Sequence, residues 1–273
     1  MKATPKKSAA VVVEPGTKIH LRDIDPDATG SCGSKEESLE RLKALQERSR
    51  ELQEAFYAER GRSLLIVLQA MDTGGKDGAL KSMMAGFNPI GVRINSFKAP
   101  TQEELAHDFL WRVHQCVPAK GMIGVWNRSH YEDVLIVRVH QLIAEKAWRQ
   151  RYEDINNFEQ MLARNGVTIL KFYLHISKDE QKKRLQARLD DPTKHWKFNV
   201  GDLAERKLWD DYQEAYEDAI NECSTAHAPW IIVPANRKWA RNLVLAETIV
   251  ATLESLKPQY PEADFDPKTI SID

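Results

Sequence analysis

Residues 64–81 read Leu64-Leu65-Ile66-Val67-Leu68-Gln69-Ala70-Met71-Asp72-Thr73-Gly74-Gly75-Lys76-Asp77-Gly78-Ala79-Leu80-Lys81: an apolar, strand-forming run, a glycine turn with one lysine, and a helix start. This is the order of a phosphate-binding loop. Gly74, Gly75 and Gly78 permit the tight turn in which successive N–H groups point at one anion, and Lys76 adds a movable positive charge beside a helix N-terminus. The stretch departs from G-x-x-x-x-G-K-[ST] twice: Ala70 stands at the first glycine, and Asp77 replaces the Ser or Thr that reaches magnesium. A ligand-free glycine turn is the competing reading, and the rest of the chain decides between the two.

Outward from this stretch, four further apolar, β-prone runs follow at 92–97, 122–126, 168–174 and 230–233, with helical stretches between them. Alternation of strand and helix predicts an α/β fold with a five-stranded parallel sheet covered on both faces, and ligand sites at the carboxyl ends of its strands. Upstream, Leu39, Leu42, Leu45, Leu52, Ala55 and Phe56 predict an amphipathic helix over 36–57. Residues 1–35, with Pro15, Pro26, Gly16, Gly30 and Gly33, read as an arm that wraps the domain or frays. A single catalytic domain is expected over 36–257, and residues 258–273, with Pro258, Pro261 and Pro267, read as an extended surface tail.

The chain has 273 residues, 42% hydrophobic and 29% charged, ordinary for a water-soluble protein. No apolar run approaches the roughly 20 residues that span a bilayer, and the patch at 9–13, stopped by Glu14-Pro15-Gly16, is too short for a signal peptide. Cys32, Cys116 and Cys223 lie far apart without C-x-x-C spacing, which argues against a zinc site or a disulfide framework and for a reducing cytoplasm. With 39 basic against 40 acidic residues, a polyanion must be met by a local patch and not by bulk charge.

A second informative stretch is Met122-Ile123-Gly124-Val125-Trp126-Asn127-Arg128-Ser129-His130-Tyr131-Glu132-Asp133. A strand ending in a polar residue is where nucleotide-binding enzymes orient magnesium, normally with an aspartate. Asn127 occupies that position, so Asp72, Glu132 and Asp133 are the carboxylates expected within reach. Arg128 is suited to bidentate contact with phosphate.

A third stretch spans 177–201. Ser177 and Glu180 predict a capping box, and Arg184 and Arg188 then lie one turn apart on one helical face. Between Lys178 and Lys197, seven Lys or Arg stand against four Asp or Glu. With Lys194-His195-Trp196-Lys197 past a proline, this reads as a helical lid over phosphates, about 178–201, set against a solvated amphipathic helix. Asp202 and Glu205 predict another capping box. Leu203, Trp209, Tyr212 and Tyr216 read as core or subunit contact. His107, His114, His130 and His140 lack metal-ligand spacing, and Ser129 lacks a G-x-S-x-G context.

Residues 70–78, Ser96-Phe97-Lys98-Ala99-Pro100, residues 127–133 and the segment 184–197, in that order, resemble the polyphosphate kinase 2 family over roughly residues 61–233. Asn127, with Tyr131-Glu132-Asp133-Val134, resembles the class III branch of that family, which implies phosphorylation of both AMP and ADP. The resemblance implies a P-loop kinase-like three-layer α/β/α core, a helical lid, magnesium dependence with manganese as a substitute, and a homo-oligomer, dimer or tetramer. A nucleotide phosphate acceptor is already anionic, so catalysis reduces to alignment and charge neutralisation. On this reading Lys76 and the amides of Gly74, Gly75 and Gly78 hold the transferred phosphate. Asp72 orients the metal with help from Glu132, and Arg128, Arg184 and Arg188 grip the donor chain. Lys81, Lys98 and Lys194 are expected to line a basic groove.

Inorganic polyphosphate and AMP, ADP, ATP or other nucleotides are thus the expected partners, with neither nucleic acid nor membrane among them. An ATP-dependent nucleotide or small-molecule kinase would share the loop without needing an extended basic track. A non-catalytic polyanion binder would need a broad basic face and no Asp72.

Overall fold

A run of Leu, Ile and Val without polar alternation suits a strand buried on both faces. In the computed structural model of the chain, which describes residues 8–272, that run is the fully buried centre of a six-stranded sheet. The strands are β1 (Val11–Val12), β2 (Ser63–Gln69), β3 (Val92–Ser96), β4 (Ile123–Asn127), β5 (Val167–His175) and β6 (Trp230–Pro234), in the order β1-β6-β5-β2-β4-β3. Five strands are parallel, as expected. The sixth, β1, pairs antiparallel with β6 through Val11–Ile232 and Val12–Ile231, so the described part of the arm extends the sheet. Residues 1–7, where the sequence begins, lie outside the described residues.

The helices are α1 (Lys35–Glu59), α2 (Lys76–Met84), the single turns α3 (Gln102–Leu105) and α4 (Trp111–His114), α5 (Glu132–Val139), α6 (Glu145–Arg164), α7 (Lys178–Leu189), α8 (Gly201–Lys207), α9 (Trp209–Glu222) and α10 (Lys238–Leu256). Alternate residues of β2 enter two cores. Leu65 and Val67 pack with Phe158 and Leu162 of α6, whereas Leu64, Ile66 and Leu68 join Ala79 and Met83 of α2 and Leu245 and Ile249 of α10. The result is helix, sheet and helix in three layers. A true capping box, Ser34 with Glu37, starts α1. Among the described residues, no helix is long and apolar enough to cross a membrane.

What positions the site is topology. The chain runs from β2 out to β3, returns beside β2 as β4, and then crosses to β5 and β6 on the other side. The strand order reverses next to β2, and ligands bind outside the carboxyl ends of strands at such a switch point. The turns after β2, β4, β5 and β6 therefore gather there. Their bonds show it: Arg128 N donates to Leu68 O at 3.0 Å, Ser177 N to Asn236 Oδ1 at 3.0 Å, and Gln181 Nε2 to Asp72 O at 2.9 Å.

Candidate active site

The loop after β2 is strained in a way that few sequences tolerate. Thr73, β-branched, sits at φ 59° and Gly75 at φ 98°. A Cβ on Gly74 would lie 2.5 Å from Ala70 Cβ and 2.7 Å from the Met71 carbonyl, and one on Gly75 would collide with the Arg241 guanidinium. The Thr73 hydroxyl is buried without a partner among the described residues. Lys76 opens α2, and its ammonium donates to Ala70 O at 2.9 Å. Burial and then the Arg128 guanidinium push its pKa down, against the pull of Asp72, Glu132 and Asp77.

At the end of β4 the chain turns through Arg128 at φ 63°. This aims its guanidinium at Asp72, 2.9 Å away, while Asn127 Nδ2 donates to Asp77 Oδ1 at 3.1 Å. Burial would lower the Arg128 pKa, but Glu132 and Asp72 outweigh it and raise the value. Glu132 is the first residue of α5, and burial raises its carboxyl pKa against the opposing pull of Arg128 and Lys76. Beneath this turn lies a wholly buried network. Lys171 Nζ donates to Glu159 Oε2 at 2.6 Å and to Tyr131 Oη at 2.7 Å. Tyr131 Oη donates to Glu159 Oε1 at 2.9 Å, and His130 Nε2 lies 3.1 Å from the same oxygen. His130 is thus a core residue. Asp133, expected within reach of the site, instead faces Arg112 and Arg151 at 3.4 and 3.3 Å.

The segment after β5 differs from its sequence reading in three places. Ser177 caps α7 by accepting from Glu180 N, but the Glu180 carboxylate turns to Arg184 at 2.7 Å, so only half of the box forms. Arg184 is buried and satisfied by backbone, donating to Thr73 O at 3.1 Å, Ala235 O at 2.6 Å and Asn236 O at 3.2 Å. It braces the loop. Arg188, half-buried, reaches Lys197 O at 3.0 Å and Asp202 at 3.4 Å. The predicted box at Asp202 and Glu205 does not form either, because Asn199 Oδ1 accepts from Gly201 N at the start of α8 and Asp202 lies inside the helix. Glu205 instead accepts from Tyr212 Oη at 2.7 Å.

Two cavities meet here. One, of about 890 Å³, is walled by the phosphate loop, Ser96 to Lys98, α7, the turn 192–197 and the start of α10; Gly74, Gly75, Lys76, Gly78, Lys98, Arg128, Arg184, Arg188 and Lys194 all border it. Lys81 does not: it is exposed, away from both cavities. The other, of about 260 Å³, is lined by Asp72, Arg128, Glu132, Gln181, Asp202, Glu205, Tyr212 and Tyr216. Asp72, Arg128, Asn199 and Asp202 belong to both, and Asp72 and Arg128 pair across the boundary. Lys183, Lys238 and Arg241 were missed by the sequence reading, as were the roles of Tyr212 and Glu205 in a cavity wall. A signal for the α10 residues exists: Arg237-Lys238 follows the end of β6 after two intervening residues, at the carboxyl edge of the sheet.

Among the described residues, no group of three His, Cys, Asp or Glu is arranged to hold a metal. Asp72 and Glu132 on the smaller cavity, with Asp77 and the amide oxygen of Asn127 across the loop, nevertheless supply hard oxygen donors. Magnesium keeps several waters and binds through one or two carboxylates plus substrate phosphates, so this donor set fits it when phosphate is present.

The polyphosphate kinase 2 (PPK2) family model matches residues 33–261. An AMP/ADP-polyphosphate phosphotransferase of Meiothermus ruber is 53% identical over 96% of this chain and 98% of its own. An ADP-polyphosphate phosphotransferase of Rhodopseudomonas palustris is 47% identical over 90% of each. The crystal structure of polyphosphate kinase 2 from Arthrobacter aurescens TC1 superposes with TM-score 0.90 at 46% identity, covering 94% of this chain and 96% of that one.

Proposed function

The chain belongs to the polyphosphate kinase 2 family, and from that premise we propose that it transfers a phosphoryl group reversibly from inorganic polyphosphate to AMP or ADP, forming ADP or ATP. The observation that carries this reading is the pairing of unlike cavities across Asp72 and Arg128. Ten Lys or Arg against four Asp or Glu line the larger groove, as a linear polyanion requires, while the smaller pocket offers two tyrosines and several hydrogen-bonding groups to a nucleotide.

The acceptor phosphate needs no general base, since it is anionic at neutral pH. Lys76 and the amides of the loop hold the phosphoryl group in flight, and Arg128 stabilises charge on its oxygens from the opposite side. Arg188, Lys194, Lys98 and Lys183 hold the donor chain, with Arg184 fixing the loop that meets it. Asp72 and Glu132 would hold magnesium, which when bound neutralises charge on the phosphate oxygens. The class III pattern at Asn127 and residues 131–134 supports acceptance of AMP as well as ADP, and any choice among nucleobases falls to the smaller pocket.

Incubation with magnesium and AMP or ADP, with polyphosphate or ATP as sole donor, tests the reading by chromatography of the products. ADP and ATP are expected from AMP and polyphosphate. Turnover with ATP alone and none with polyphosphate would instead make the chain an ATP-dependent kinase, and binding without turnover a polyanion-binding protein. We also carry a cytoplasmic setting and a homo-oligomer of two or four copies. The second is supported by the open edge of β3 beside exposed Ile90 and Ile94, and sedimentation measures it.

A further inference from the structure

A guanidinium removed from water is normally paired with a carboxylate, because an isolated charge in the interior is costly. Arg241, on the first turns of α10, is only 2% exposed and has no carboxylate partner among the described residues. Its Nε and Nη2 donate to Asn242 Oδ1 at 3.0 and 2.7 Å and its Nη1 to Gly75 O at 3.1 Å, which leaves two of its five N–H groups without an acceptor among the described residues. Its charged neighbours on the groove side, Arg184 and Lys238, are cations. Burial and then Arg184 lower its pKa to about 10.

The setting compounds the cost. The N-terminal turn of a helix favours acids, yet α10 has none there and carries Arg237, Lys238 and Arg241 instead. Arg237 lies 3.7 Å from Asp27, but Lys238 and Arg241 have no such partner among the described residues. Nor does the loop need Arg241 as a brace: Gly75 O already accepts from Ala79 N at 2.9 Å. Gly75 and Gly78 bring the loop within van der Waals reach of this guanidinium, since a Cβ on Gly78 would lie 3.4 Å from Nη2 and one on Gly75 would overlap Nη1.

We infer that Arg241 is a donor-binding residue, whose unpaired charge and spare N–H groups at the floor of the groove are compensated only when a phosphate chain occupies it. The assignment rests on the reading of the larger groove as the polyphosphate site. It implies that the free protein bears a destabilising charge for the sake of its ligand, the reverse of what a structural arginine does.

Calorimetric titration with inorganic polyphosphate and thermal melts without ligand, on the full chain and on Arg241→Met and Arg241→Lys, separate the possibilities. Arg241→Met is expected to melt at or above the temperature of the parent. Its polyphosphate Kd should rise about tenfold or more, as removal of one charge-assisted hydrogen bond predicts. Arg241→Lys should fall between the two in affinity, and the KM for AMP should not move in either. An unchanged polyphosphate Kd in Arg241→Met overturns the assignment while leaving the groove intact. So does a melting temperature several degrees below the parent, or failure to fold, since either would make the arginine structural. A parent chain that does not bind polyphosphate would overturn the reading of the groove itself, and this assignment with it.

Discussion

The larger groove and the smaller pocket share a wall of Asp72, Arg128, Asn199 and Asp202, and they solve opposite problems. The groove lines its length with cations from the loop, from α7 and the turn after it, and from α10, so it can hold a uniform polyanion in many registers. The pocket sets one arginine among Asp72, Glu132, Asp202 and Glu205, with Tyr212 and Tyr216 beside them. Charge alone would repel a nucleotide there. If the acceptor sits there as proposed, shape and hydrogen bonding select it, and its phosphate end meets the pocket's one arginine, Arg128. On the proposed reading the reaction lies where the cationic wall, the carboxylates of the pocket and the strained loop meet, at the Asp72–Arg128 bridge.

The comparison breaks first at Lys76, which bounds the groove where it meets that bridge. Lys76→Ala should leave circular dichroism unchanged, since the ammonium's hydrogen bond is to a backbone carbonyl and not to another element's side chain. Turnover should fall by roughly 10³-fold, about 4 kcal/mol of transition-state stabilisation. A mutant with near-parental turnover would remove the loop from the reaction. Asp72→Asn comes next, at roughly 10²-fold, because it removes a metal-attracting charge and frees Arg128 together. A magnesium titration of the mutant should show a raised requirement. An unshifted requirement would move the metal to Asp77 or Glu132.

How far the two regions could be read from sequence follows from how each is built. The loop and the Asn127-Arg128 turn carry their signal in consecutive residues, so both were legible. Five of the six strands were legible from short β-prone runs; β1, two residues long within the apolar patch at 9–13, is held by pairing with β6 and was read only as part of the arm. The pocket draws on the ends of β2 and β4 and on α5, α7, α8 and α9, and only the fold brings Tyr212 to Glu132. Helical spacing put Arg184 and Arg188 on one face but could not say that the face near Arg184 packs inward. Ser/Asp-x-x-Glu spacing overcalled two boxes because the Glu180–Arg184 ion pair claimed one glutamate and Asp202 lies inside α8, whose first N–H is met by Asn199.

That inward packing sharpens the contrast between the two arginines of α7. Arg184→Ala strips four partners from a buried site and should cost about 3 kcal/mol of stability, read as a lowered denaturant midpoint. Arg188→Ala should leave the midpoint within about 0.5 kcal/mol of the parent. Its polyphosphate affinity should instead depend less steeply on salt, the log–log slope falling by roughly 0.7 for each phosphate no longer neutralised, as for single-stranded polyanions. An unchanged slope would mean that the donor track passes on the Lys98 side.

The smallest expected effect tests the pocket's own charge. Burial raises the Glu132 carboxyl pKa in the folded chain, so between the unfolded and folded values the native state binds more protons than the unfolded one. Stability from this group is therefore greatest below its unfolded pKa and declines as pH rises through its folded pKa. Glu132→Gln should remove that decline and make the free protein slightly more stable at neutral pH than the parent. Turnover should move the other way: if the ionised carboxylate serves the metal, the acidic limb of kcat/KM for AMP lies above the ordinary carboxylate range in the parent and is lost in the mutant, with a several-fold lower plateau. Stability and turnover that fall together would instead make Glu132 a structural residue at the start of α5, and would leave Asp72 as the pocket's only catalytic carboxylate.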